Sequence, residues 1–169
     1  EMKMDVVGRE GQYGADRSTA GGTAIAVRQR TTKAELLEAL AEPTAEQLMY
    51  FYCHATTKSV ADAGGIKGSN LELTGREKIT MDDFDVEAPR RDKLPGSPLV
   101  FLNACESGEL TPAFYDGFIP YFLAKGARGV VGTECKTPAV FAPEWATRFF
   151  PRFLAGEAIG ELFLSLRRE

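Results

Sequence analysis

Three stretches of this chain are apolar at consecutive positions rather than alternate ones. They are residues 47–53 (with Leu48, Met49, Tyr50, Phe51, Tyr52 and Cys53), residues 98–104 (with Leu99, Val100, Phe101 and Leu102) and residues 129–133. Strands buried on both faces read this way, and such strands fill the middle of a parallel sheet. Elsewhere apolar residues recur at helical spacing. Ala34, Leu36, Leu37 and Leu40 form one such set, and Phe114, Phe118 and Phe122 a second at four-residue steps. Phe141, Trp145, Phe149 and Phe153 make a third stripe, and Ile159, Leu162, Phe163 and Leu166 a fourth. These stripes read as core coating a sheet face, not as a cofactor box. Thr32 with Glu35 three residues on is a capping box for the first helix, which Pro43 ends. Thr111 and Pro112 occupy the cap and first-turn positions of the second, and Gly126 stops it. Thr137 and Pro138 open the third, where Pro143 and Pro151 are expected to kink or interrupt it.

The remaining segments complete an alternating order. Residues 23–27 read as a strand, and residues 2–7 as a short one before a glycine-rich loop at 8–22. Leu71 and Leu73 on one side of residues 74–77, with Ile79 and Met81 on the other, suggest a small hairpin. Residues 56–70 and 82–97 read as polar connections, and Asp82, Asp83 and Asp85 in the second as a solvated acidic loop rather than a calcium site. Strands alternating with helices imply an α/β fold with a mostly parallel sheet. The expected division is an N-terminal strand and loop segment at 1–22, continuing from an upstream region, and a domain at 23–169.

Composition narrows the function. A chain of 169 residues, 44% apolar and 26% charged, has the make-up of one soluble domain with a sizeable core. The net charge is −4 and no basic face emerges, which argues against a direct nucleic-acid ligand. No apolar stretch approaches the roughly 20 residues of a membrane span, and no signal peptide is visible. Cys53, Cys105 and Cys135 are odd in number and lack metal-ligand spacing. A disulfide framework and a zinc site are therefore not expected, and a reducing, cytoplasmic setting fits. No glycine-rich phosphate fingerprint follows any strand, so no nucleotide cofactor is implied.

The chain holds a single histidine, His54. Any histidine base must be this one. His54 follows one doubly buried strand and Cys105 another. In open α/β sheets ligands bind beyond the carboxyl ends of the strands. Adjacent strands lie about 4.8 Å apart, so side chains leaving neighbouring ends can meet. The imidazole would then take the thiol proton and later protonate a leaving amine. Ser107 and Gly108 after Cys105 point to an open turn, whose amide groups favour a thiolate. Taken singly, each residue reads as well as a packing cysteine or a hydrogen-bonded rim histidine. Their shared position at strand ends is what favours chemistry.

Three segments together resemble the CHAT family of caspase-like domains, related to separase and caspases. They are residues 50–55 (Tyr-Phe-Tyr-Cys-His-Ala), 98–108 (with Asn103, Ala104, Cys105, Glu106, Ser107 and Gly108) and 122–133 (with Gly126, Ala127, Arg128, Gly129, Val130, Val131 and Gly132). The resemblance runs from about residue 23 to 168. It implies a three-layer α/β/α sandwich and peptide-bond hydrolysis through a thioester, with His54 as base and Cys105 as nucleophile. It also implies backbone oxyanion donors at Cys105 and Ala55, where many relatives carry glycine. The primary specificity pocket is expected along the strand after Gly132, with Asn103, Glu106, Thr133 and Glu134 as substrate contacts. Relatives often carry a tryptophan and a nearby aspartate there, and residues 133–139 here carry neither. Glu134 reads either as a substitute counter-charge or as a solvated carboxylate, and Asn103 as locally hydrogen-bonded. The resemblance implies a protein substrate, gasdermin-like pore formers among the candidates, in a bacterial defence or cell-death system. It also implies an upstream TPR or sensor domain, or an activating partner, as the switch. The alternative is a catalytically silent caspase-like binding module.

Overall fold

The computed structural model describes residues 2–8, 19–20, 23–41, 46–56, 69–86, 93–104, 112–132 and 141–169. In chain order these form β1 (Met2–Gly8), β2 (Thr19–Ala20), β3 (Thr23–Arg30), α1 (Lys33–Ala41), β4 (Leu48–Thr56), β5 (Asn70–Glu72), β6 (Lys78–Thr80), α2 (Met81–Val86), β7 (Leu99–Ala104), α3 (Pro112–Ala124), β8 (Gly129–Gly132), α4 (Phe141–Leu154) and α5 (Ile159–Leu166). The fold is α/β and its sheet is mixed. β1 lies between β3 and β4 and is parallel to both. β4 is parallel to β7, and β7 to β8. β2 runs antiparallel along β3, and β5 and β6 form an antiparallel hairpin on the far end of β4.

Two apolar cores follow from the two-residue period of the strands. Met49, Phe51, Cys53 and Ala55 of β4, with Val100 and Leu102 of β7, pack with Leu36 and Leu40 of α1, Phe84 of α2 and Phe118 and Phe122 of α3. The alternate residues Leu48, Tyr50 and Phe101, with Met4 and Val6 of β1, pack with Phe149 and Phe150 of α4 and Leu162 of α5. The consecutive apolar runs are therefore apolar because each parity faces a different core. β8 differs from its expected burial: all four of its residues are only partly buried.

Local chemistry sets the helix ends. The Glu35 carboxylate accepts from the Thr31 and Thr32 N–H groups, while Thr32 Oγ1 accepts from the Glu35 N–H. The hairpin adds a second cap, because the Lys33 N–H donates to the Glu77 carboxylate at 2.8 Å. Gly126, at φ 83°, ends α3, with the Ala127 N–H bonded to the Phe122 carbonyl and the Gly126 N–H to that of Leu123. α3 begins at Pro112, as its cap signal predicts. α4 runs across both of its prolines without a break in assignment. Pro143 lies in the first turn, where no helical N–H is needed, and Pro151 sits only three residues before the end.

The acidic segment is not the solvated loop expected of it. Met81–Val86 is a helix, capped by Thr80 and Asp83 together: the Asp83 carboxylate accepts from the Thr80 N–H at 2.7 Å, and Thr80 Oγ1 accepts from the Asp83 N–H. Lys33 at the start of α1 closes a 2.9 Å ion pair on the same carboxylate. Burial works to raise the Asp83 pKa, but the Thr80 hydrogen bonds and Lys33 outweigh it, so the net shift is downward. A folded-state pKa below the unfolded value stabilises the fold above the ordinary carboxylate range and loses that contribution as pH falls through the folded value. Asp83→Asn is thus expected to cost about 1 kcal/mol at neutral pH. The gap to wild type should close in strong acid, and paired denaturant titrations at pH 7 and at acid pH would measure it.

Candidate active site

The register between β4 and β7 is fixed from Leu48 opposite Leu99 to Cys53 opposite Ala104. Among the described residues that parallel ladder reaches no further, while β4 continues. His54 pairs with Glu72, Ala55 with Leu71 and Thr56 with Asn70 in the antiparallel ladder to β5. His54 was expected just past the strand end. It lies inside the strand instead, because the hairpin pairs with it through Glu72. This seats the imidazole on a hydrogen-bonded backbone rather than on a free loop, and leaves it partly buried.

The period-2 alternation puts His54 on the sheet face of Tyr50 and Tyr52. Those two rings stack at 6.4 Å, and Tyr50 meets Phe150 of α4 edge-on at 4.9 Å. On β7 the same face carries Phe101, which belongs to the core of Tyr50, and Asn103, which reaches the Tyr50 hydroxyl. Asn103 is buried, and its amide N–H donates to Tyr50 Oη at 2.9 Å. This bond is not the local one expected. It ties the end of β7 to β4, across 53 positions of sequence.

Glu72 is the residue that sequence reasoning passed over. Directly paired residues of an antiparallel ladder share one face, with Cβ atoms about 5 Å apart. A carboxylate-bearing residue thus stands opposite His54. Only the register of the hairpin identifies it, and nothing in the residues around Glu72 announces a role.

Ala55 turns its side chain into the other core and is 3% exposed. Among the described residues the non-glycine positions with positive φ are Arg76 and Ser97, so Ala55 keeps an ordinary strand backbone that alanine adopts without strain. Cys53 is buried in the same core. Cys105, Glu106, Thr133 and Glu134, with Cys135, lie outside the described residues.

Beside the ends of β7 and β8 lies a cavity of about 120 Å³. Its walls are Phe101, Leu102 and Asn103 of β7, Val131 and Gly132 of β8, Phe141 and Trp145 of α4, and Phe163 of α5. None of these eight residues is ionisable. The α4 stripe that forms one wall is core along most of its length. Trp145 stacks on Phe149 at 4.4 Å and Phe149 on Phe153 at 5.3 Å. Phe141 departs from that expectation, being half exposed.

No helix among the described residues is long and apolar enough to cross a membrane. A protein of Vitiosangium sp. named as a probable protease is 33% identical to this chain over 108 residues. The alignment covers 63% of this chain and 14% of that protein, so the chain spans only a small part of its relative. The model of the CHAT domain matches residues 3–166, which takes in β1 as well as everything from β3 to α5. The chain belongs to the CHAT domain family.

Proposed function

We propose that this chain is a caspase-like cysteine endopeptidase that cuts a partner protein through a His54–Cys105 dyad. The observation that carries the reading is the β4–β7 register. Its last pair among the described residues is Cys53 with Ala104, and the next residue of each chain segment is His54 on one side and Cys105 on the other. A Cα step is 3.8 Å, so the residue following Ala104 begins within one step of the Cys53–Ala104 pair. Parity supports the pairing too, since Phe101 and Asn103 share a face with Tyr50, Tyr52 and His54, and 105 continues the odd-numbered series. Membership of the CHAT family and the probable-protease relative support hydrolysis of peptide bonds. The two cores on opposite sheet faces support a three-layer sandwich.

The chemistry follows from those roles. His54 removes the Cys105 thiol proton, and the thiolate adds to the scissile carbonyl. The backbone N–H groups of Cys105 and Ala55 hold the resulting oxyanion. The imidazolium returns its proton to the amine nitrogen as the C–N bond breaks, leaving a thioester. His54 then deprotonates water, which attacks the thioester and releases the acid and the free thiol. Glu72, opposite His54, supplies a carboxylate to orient the imidazole. By analogy with the family, the setting is a cytoplasmic bacterial defence or cell-death circuit, with a gasdermin-like substrate and a sensor region or partner as the switch.

A peptide library derived from a bacterial proteome tests the chemistry. New N-termini are expected with the wild-type chain and none with Cys105→Ala. Identical peptide profiles from both proteins would reassign the chain as a binding module.

A further inference from the structure

The hydrogen bond from Asn103 to Tyr50 is a buried polar contact on an aromatic sheet face. Tyr50 packs among Phe101, Phe149 and Phe150, and both partners of the bond are buried. Two apolar side chains of the same shape would fill such a space with nearly equal stability. A polar pair there does something else. In a low dielectric either group left unpaired is costly, so the bond fixes one geometry. The Tyr50 hydroxyl is held in place from its own side of that bond. Its ring meets Phe150 edge-on at 4.9 Å and stacks on Tyr52 at 6.4 Å.

The bond runs diagonally between the strands. Register places Phe101 opposite Tyr50, and Asn103 opposite Tyr52. Asn103 therefore meets the ring of a residue one same-face position away, which a long side chain can reach. Tyr50 stands four residues before His54 on β4, and Asn103 two residues before Cys105. His54 has its own anchorage in the ladder to β5. On β7 the main-chain pairing to β4 reaches Ala104 among the described residues, and the Asn103 side chain adds a second tie at that end. Main-chain bonds lie in the plane of the sheet, whereas side chains stand roughly perpendicular to it. The two ties together resist rolling of β7 about its own axis.

Resting on the peptidase reading above, we propose that Tyr50 and Asn103 are positioning residues, whose hydrogen bond sets the separation between the His54 imidazole and the Cys105 thiol. Neither touches the reacting atoms. Asn103 serves the reaction through Tyr50 rather than as a substrate contact, since its amide N–H is given to the tyrosine. Losing the bond lets the end of β7 roll, and the residue after Ala104 moves with it. A displacement of about 1 Å between reacting groups can cost about a hundredfold in rate. The β4–β7 ladder survives that loss, so a smaller effect, about tenfold, is expected here.

Tyr50→Phe deletes the hydroxyl and keeps the ring and its packing. Asn103→Leu deletes the other partner and keeps a branched side chain. On a reporter peptide taken from the cut sites of the wild-type chain, each variant should lower kcat about tenfold with KM within about twofold of wild type. The double variant should be no slower than either single one, because one bond cannot be lost twice. Iodoacetamide labelling of Cys105 at pH 7 should also slow about tenfold in both variants, as the thiol loses its proton acceptor. Unfolding curves on the same samples give the folded fraction by which each rate is normalised, and Tyr50→Phe alone carries the test where Asn103→Leu does not fold. Wild-type kcat in Tyr50→Phe, or losses that multiply to about a hundredfold in the double variant, would overturn the proposal and leave the peptidase reading intact. So would a raised KM confined to Asn103→Leu, which would make Asn103 a substrate contact. If the wild-type chain cuts no peptide, the peptidase reading falls and labelling decides. Slower Cys105 labelling in Tyr50→Phe would then keep the bond as the spacer of the pair, and unchanged labelling would remove it.

Discussion

Replacing His54 with glutamine is expected to lower peptide hydrolysis by about 10³-fold while leaving the fold intact. The chain has no second histidine to take over. Glutamine keeps comparable bulk and hydrogen-bonding capacity, but it neither accepts the thiol proton nor protonates the leaving amine. His54 is only partly buried and its backbone is held by the β4–β5 ladder, so the substitution leaves the strand pairing in place. The loss should therefore fall on kcat more than on KM, because both proton transfers occur after binding. Kinetics on one reporter peptide would separate the two parameters. Unfolding curves on the same samples should coincide with wild type. Activity within about threefold of wild type would remove His54 from the mechanism, since general base catalysis is worth far more than that.

Phe149→Ala is expected to be the most damaging single change to the fold, at about 3–5 kcal/mol. Phe149 is fully buried at the centre of an aromatic cluster. Its ring lies 4.4 Å from Trp145, 5.1 Å from Phe101, 5.3 Å from Phe150 and Phe153, and 5.5 Å from Phe163. Those rings come from β7, α4 and α5, so truncation leaves a hole where three elements meet. Domains of this kind have about 5–15 kcal/mol in total, which makes the loss a large fraction of the whole. Phe141→Ala, two steps back along the same stripe and half exposed, should cost less than about 1 kcal/mol. Urea titrations of the two variants beside wild type give the comparison. Equal midpoints for both would mean that the stripe is not the core of that face.

Much of the scaffold was legible because its signals are local. The doubly apolar runs of β4 and β7, the Thr32–Glu35 cap, the hairpin around Gly75 and the Pro112 helix start each depend on neighbouring residues. The helix α2 was hidden for the opposite reason. Its acidic composition reads as solvated, although Thr80 and Asp83 carry the three-residue capping spacing that would have disclosed it. β1 was expected at 2–7 and runs Met2–Gly8, but its place between β3 and β4 was not legible, because those partners lie far along the chain. Site features that depend on register were out of reach. Neither the Asn103 bond to Tyr50 nor the stand of Glu72 opposite His54 leaves a mark on the residues around it. The cavity is similar: Phe141 and Trp145 sit on a stripe whose helical spacing looks like core throughout, and only the packing of α4 against β7 and β8 leaves space there.

The reactivity of Cys105 as a function of pH probes the proton shared with His54 most directly. Iodoacetamide labelling, followed residue by residue by mass spectrometry, reads the thiolate fraction of Cys53, Cys105 and Cys135 separately. In the wild-type chain Cys105 should react at about pH 6, well below the ordinary thiol value of about 8.5, and His54→Gln should return it to that value. A Cys105 profile that matches an unperturbed thiol, and does not move when His54 is replaced, would contradict the dyad.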